Sequence, residues 1–181
     1  MRPPRISAAI AATALLTGAT FIPAAPALAY TTNGCVWSGS SLRINSSGVS
    51  GSYLSGLTSA ISNYNIRTDV TLTRTTASGP AFTARTSNYG ATGWEGRAQV
   101  NCLSGAVSTR SASSQINTHY VKSSAPLNRI KVLWLHELGH SLGLGHVSNS
   151  YRIMYPQAVV PYNNGVTALT TDEINGINAL Y

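Results

Sequence analysis

The residues best suited to chemistry in this chain are His136-Glu137-Leu138-Gly139-His140-Ser141-Leu142-Gly143-Leu144-Gly145-His146. Neutral imidazole is a good zinc ligand, and three imidazoles can hold the ion while leaving one position open for water. His136 and His140 are four residues apart, so on a helix they lie one turn apart on the same face. Glu137 follows the first ligand directly, and its carboxylate can reach a water on the metal without ligating it. Gly143 stands three residues beyond His140. Without a Cβ it can take φ > 0, end the helix and swing the chain back, so that His146 meets the metal from the other side. The competing reading is a buried amphipathic helix that happens to carry histidines. Five fixed positions in so short a stretch make that reading poor. The helix that positions the set opens at Pro126, after Ser124, and runs to about Leu142. Leu127, Ile130, Leu133, Trp134 and Leu138 cover its core side.

The spacing H-E-x-x-H-x-x-G-x-x-H resembles the extended zinc signature of the metzincin metallopeptidases. Downstream, Met154-Tyr155-Pro156 resembles the Met-turn of that clan in the form found in matrixins. Leu169 to Tyr181 resembles the last helix of the matrixins. The specific resemblance covers Ile130 to Tyr181; upstream only the order of elements agrees. It implies an α+β fold: a twisted mixed β-sheet, an active-site helix and a small C-terminal subdomain ending in a helix. It implies one catalytic zinc ion held by His136, His140 and His146, with Glu137 as the catalytic residue and Met154 as an apolar floor. The implied activity is that of an endopeptidase. Glu137 takes a proton from zinc-held water as the peptide carbonyl is attacked and returns it to the leaving amine. Astacins and serralysins carry a Tyr two residues past the Met-turn methionine. Pro156 stands there in this chain, so no such helper is implied.

Residues 1–29 read as a secretory leader. Arg2 and Arg5 give a positive start, Ile6 to Ile22 is small and apolar, and Ala27-Leu28-Ala29 fits a cleavage site. Gly18 and Pro23 interrupt the apolar run, which suits a leader better than a membrane anchor. Residues 30–181 then form a single catalytic domain, long enough for one core. Of the twelve Lys and Arg, ten remain against five acidic side chains, and they are scattered. No basic run marks a nucleic-acid site, and the charge supports only mild attraction to anionic partners. The expected product is secreted, extracellular and monomeric. It needs no membrane after leader removal, and its partner is a protein or peptide substrate.

Cys35 and Cys102 are the only cysteines, and in a secreted chain a disulfide is the default. Closing that loop stabilises the fold by about 4 kcal/mol on the chain-entropy model. The alternative, an inhibitory Cys35 thiolate as in matrixin propeptides, lacks the surrounding motif.

Several further elements must support the site. Leu42-Arg43-Ile44 reads as a first strand. Tyr53, Leu54, Leu57, Ile61 and Tyr64 fall at helical spacing, predicting a helix over about Ser52 to Asn65. Asp69 to Thr76 alternates and is rich in β-branched residues, as a strand is. Ser78-Gly79-Pro80 marks a turn, Ala81 to Thr86 extends the sheet, and Ser87 to Gly96 reads as a loop. Arg97 to Leu103 and Gln115 to Val121 read as two more strands. Ala98 to Cys102 is the candidate edge strand beside the cleft, able to pair with extended substrate.

Only Asp69, Glu95, Glu137, Asp172 and Glu173 are acidic, so calcium sites are doubtful. His119 alone cannot build a second zinc site and reads as a strand histidine. Asp172 and Glu173 fall in the first turn of the last helix, capped by Thr170 or Thr171, where they favour the helix dipole. The resemblance offers a sharper role for Asp172: pairing with an N-terminus freed at Tyr30. Pro156 to Ala168 should wall the pocket past the cleaved bond, with Pro156 and Tyr162 as candidate lining residues. Two rivals to a peptidase stand. One is a secreted zinc-binding recognition module, which would need the ligands but not Glu137. The other is a zinc hydrolase of a non-peptide amide.

Overall fold

The structure is a computed structural model and describes residues 30–105 and 107–181. The leader reading falls on residues 1–29, outside the described residues. The elements in chain order are strand β1 (Ser41–Gly48), helix α1 (Gly51–Arg67), strands β2 (Thr71–Thr75), β3 (Phe82–Ser87), β4 (Gly96–Cys102) and β5 (Thr109–Asn117), and helices α2 (Leu127–Ser141), α3 (Val159–Asn163) and α4 (Thr171–Leu180).

The fold is α+β. Five strands form one mixed sheet in the order β2-β1-β3-β5-β4. The first four run parallel, and β4 is antiparallel to β5 at the sheet edge. Helices α1 and α2 pack side by side and reach the sheet through β2 and through β4 and β5. They approach closely at Gly56, where a Cβ would sit 2.6 Å from Cγ2 of Ile130. Two hydrogen bonds lock the pair: Tyr64 Oη donates to Leu135 O, and Trp134 Nε1 donates to Tyr53 O. The core beneath includes Leu57, Tyr64, Phe82, Ile116, Ile130, Trp134, Leu135 and Leu138, all buried. Burying one such side chain is worth about 1.5–3 kcal/mol. No helix among the described residues is long and apolar enough to cross a membrane.

Two expectations about elements need correction. The last strand is Thr109–Asn117, not Gln115 to Val121. Its sequence is mostly Ser, Thr and Ala, without an alternating apolar signal, because it lies between β3 and β4 with helix α2 packed against it. It stops at Asn117, whose side chain donates to Gly90 O and Thr92 Oγ1 and accepts from the Tyr89 and His119 amides. His119 is therefore in the turn after β5 and meets Tyr120 edge-on. Leu127, expected on the core side of α2, is 48% exposed at the first turn. Short helix α3 falls within what reads as pocket wall.

Candidate metal centre and cleft

Helix α2 carries His136, Glu137 and His140, and its end creates the third position. Leu142 caps the helix, and Gly143 takes φ +108°. The Gly143 amide then donates to His140 O and the Leu144 amide to Gly139 O, a Schellman turn that only a left-handed residue permits cheaply. The chain reverses, and His146 comes back over the helix. The three Nε2 atoms stand 3.1 Å (His136–His140), 3.0 Å (His140–His146) and 3.4 Å (His136–His146) apart.

This geometry fits a zinc ion. Tetrahedral bonds of about 2.0–2.1 Å to imidazole nitrogens would set those nitrogens about 3.3–3.4 Å from one another. The tautomers agree as well. The Nδ1 of His136 lies 2.7 Å from Ile153 O and that of His140 lies 2.8 Å from Leu144 O. A carbonyl can only accept, so both Nδ1 atoms carry the proton, and both Nε2 lone pairs face the common point. Burial holds the imidazoles in the neutral form that ligation requires. Desolvation lowers His136 to about 3, with its neighbour His140 adding repulsion, and lowers His140 to about 4. Desolvation also lowers His146.

Glu137 is 3% exposed, and burial pushes its carboxyl up to about 8. Space for it exists because position 96 is glycine; a Cβ there would overlap Oε1 of Glu137 and Leu133. Its backbone carbonyl accepts from Ser114 Oγ of β5, which seats the helix on the sheet.

Glu137 faces a cavity of about 380 Å³ lined also by Trp94, Leu133, Pro156, Ala158 and Val159. Pro156 is thus in the wall. Tyr162 is not among its lining residues and packs, partly buried, against the core. A second hollow, about 310 Å³, lies between Asn33, Ala98, Val100, Cys102 and His140. Gly96, Ala98, Val100 and Cys102 are alternate residues of β4, so one face of the edge strand runs from the first cavity to the second. A larger hollow of about 410 Å³ around Trp37, Arg43 and Pro80 contains no histidine, cysteine or carboxylate.

Met154 is buried against α2 at Gly139, which makes room for it: a Cβ there would sit 2.6 Å from Sδ. The Met-turn is tied to α4 through Glu173. One carboxylate oxygen accepts from the Met154 amide at 3.3 Å and the other from the Thr170 amide at 2.8 Å. Thr170 is the N-cap and Glu173 completes a capping box. Asp172 forms an ion pair with Arg152 at 2.6 Å. Cys35 and Cys102 form a disulfide.

Sequence reasoning did not find the carbonyls of Ile153 and Leu144, the Ser114 hydroxyl or the second bond of Glu173. Backbone acceptors have no residue-type signal. The T-x-x-E pattern at Thr170 and Glu173 did carry a readable one, for the cap alone.

A neutral histidine triad on a helix and its reversing turn, below an antiparallel edge strand and with a buried methionine against the helix, defines a metzincin-type domain. The sequence profile of the matrixins matches residues 70–181. The chain belongs to the matrixin family, whose members are zinc metalloendopeptidases. Similar proteins include stromelysin-1 of Equus caballus, 38% identical over 63 residues (35% of this chain and 13% of that protein). Metalloendoproteinase 1 of Glycine max is 40% identical over 70 residues (39% and 21%). Matrilysin of Homo sapiens is 49% identical over 49 residues (25% and 17%). The chain thus aligns with about a fifth or less of the length of these curated relatives.

Proposed function

We propose that this chain is a secreted zinc endopeptidase that cleaves extended polypeptide. The observation that carries the reading is the placement of Glu137. Its carboxylate directly follows the first ligand, is walled by apolar side chains and opens onto the cavity beside the triad. A recognition module has no use for a buried carboxylate kept free to exchange a proton.

His136, His140 and His146 would hold the ion. A bound zinc supplies a Lewis acid that acidifies water and polarises a carbonyl. The rest falls to the chain. Glu137 takes the proton from the attacking water and delivers it to the leaving amine. Burial alone raises its carboxyl to about 8, and a nearby cation would favour the carboxylate that must take the proton. Strand β4 offers its outer edge to an extended substrate, which would add main-chain hydrogen bonds. The substrate's side chains would fall alternately toward and away from the two hollows. The apolar walls of the cavity at Leu133, Pro156, Ala158 and Val159 favour an apolar residue just past the cleaved bond. This alignment supports a polypeptide over a small amide. Secretion rests on the leader-like residues 1–29.

The test is casein hydrolysis by the mature chain, with and without a zinc chelator, beside Glu137→Ala. Cleavage lost in both controls is expected. A folded, zinc-loaded protein that leaves casein and short peptides intact would overturn the reading.

A further inference from the structure

The segment Thr31-Thr32-Asn33-Gly34-Cys35-Val36-Trp37 carries no catalytic motif. Val36 bonds to Val107 and Thr109, yet five other hydrogen bonds of the segment go to the stretch His140 to His146 that ends α2 and carries the third histidine. Thr31 Oγ1 donates to His146 O at 2.6 Å, and Thr31 O accepts from the Gly145 amide at 2.8 Å. The Asn33 amide donates to Gly143 O at 2.9 Å, and Asn33 Nδ2 to His140 O at 2.6 Å. Trp37 Nε1 donates to Ser141 O at 2.9 Å. Thr32 bridges Leu144, the residue whose carbonyl orients His140. The last carbonyls of a helix lack partners within it. In α2, that of Ser141 accepts from this segment, and that of His140, already bonded to the Gly143 amide, takes a second bond from it.

The site side is shaped to receive it. A Cβ at Gly145 would sit 2.6 Å from Thr31 Oγ1, one at Gly143 would sit 2.8 Å from Val36 Cγ1, and one at Gly176 would sit 2.8 Å from Tyr30 Cγ. Three glycines on the turn and on α4 therefore leave room for the strap. At its far end, the Cys35–Cys102 disulfide pins the strap to the last residue of β4.

His146 needs such support. His136 and His140 each have a carbonyl fixing the ring. Among the described residues no protein group bonds Nδ1 of His146, which is exposed. Its place depends on the backbone of its turn, and that backbone is held by the strap.

We propose that the strap Thr31–Cys35, anchored by the disulfide to the edge strand, is what positions the third metal ligand, with Thr31 and Asn33 as positioning residues. Zinc retention then depends on a segment more than a hundred positions away in sequence. The inference rests on the triad being a zinc site, though not on the protein being a peptidase.

The experiment measures zinc affinity of the mature chain by competition with a chromophoric chelator, together with the melting temperature of the zinc-free protein. Thr31→Val and Asn33→Leu remove side-chain donors at exposed positions. Each should weaken zinc binding about tenfold or more, the size seen when groups supporting a ligand are lost. Zinc-free melting should hardly move, and Thr31→Ser, which keeps the hydroxyl, should restore affinity. Zinc affinity within twofold of the parent in both variants overturns the proposal. So does a loss that tracks zinc-free melting, or one that Thr31→Ser does not repair. A parent chain that fails to bind zinc would instead sink the metal-site reading itself.

Discussion

His136 and His146 point at one position from opposite kinds of ground. His136 is 3% exposed, lies mid-helix in a packed core, and has its ring fixed by Ile153 O. His146 is exposed, sits on a glycine-bearing turn, and depends on Thr31 and its neighbours. The buried end belongs to the folding core and carries Glu137. The exposed end is assembled from chain segments distant in sequence. Burial thus predicts that the first end is as stable as the domain, while the second is the one expected to open first.

The largest effect should come from the buried end. Glu137→Gln keeps the shape of the side chain and removes its proton chemistry. Peptide hydrolysis should fall about 10²–10⁴-fold, the span attributed to a positioned acid–base group. Zinc affinity and fold should persist. Comparable turnover by the variant, with zinc bound, would take the base role from Glu137.

The disulfide ties the exposed end to the sheet. Cys35→Ser/Cys102→Ser opens a loop whose ends are 67 positions apart. Denaturant unfolding should report a loss of about 3–4 kcal/mol. If the cost proves below about 1 kcal/mol, the strap is held by its hydrogen bonds alone.

Replacing each histidine separates the two grounds directly. In zinc-free protein, His136→Ala leaves a hole in the core and orphans Ile153 O, and should cost about 2–3 kcal/mol. His146→Ala removes an exposed side chain and should stay within about 0.5 kcal/mol. Both should abolish tight zinc binding. Equal costs in the zinc-free state would erase the distinction between the two ends.

All three histidines and Glu137 can be read in the sequence; the supports of the exposed end cannot. His136, Glu137, His140 and Gly143 announce themselves because residue type, helical spacing and a left-handed turn each leave a mark. Helix α1 is visible in Tyr53, Leu57, Ile61 and Tyr64, and α4 in its cap. What holds the exposed end is illegible for a physical reason. Thr31 and Asn33 act through ordinary hydrogen bonds to backbone carbonyls, which no residue pattern encodes. Gly145 looks like any loop glycine until Thr31 is seen lying on it. Strand β5 was misplaced toward its C-terminal end because Ser and Ala fill a tight layer without an apolar alternation. Position in sequence does not show that Tyr162 packs, partly buried, against the core.

The smallest effect is the pH dependence of the zinc-free protein, and its sign follows from three groups. His136 and His140 are lowered to about 3 and about 4 from 6.5. The unfolded chain therefore takes up their protons first, and stability falls as pH drops below 6.5 toward those values. Glu137 is raised to about 8 from 4.5, so the folded state holds its proton longer, and stability falls as pH rises from 4.5 through 8. Between 4.5 and 6.5 two histidines oppose one glutamate, and the net slope is upward. Above 6.5 only the glutamate acts, and about 1–2 kcal/mol should be lost by pH 8. Zinc-free stability should thus peak near pH 6.5, as followed by urea unfolding across a pH series. Glu137→Gln should flatten the alkaline side and steepen the rise between pH 4.5 and 6.5, where the two histidines would no longer be opposed. Zinc loading should flatten the alkaline side too, because a cation beside Glu137 favours the carboxylate. An alkaline slope that survives Glu137→Gln would mean that some other group carries it, and that the carboxyl is better solvated than its burial implies.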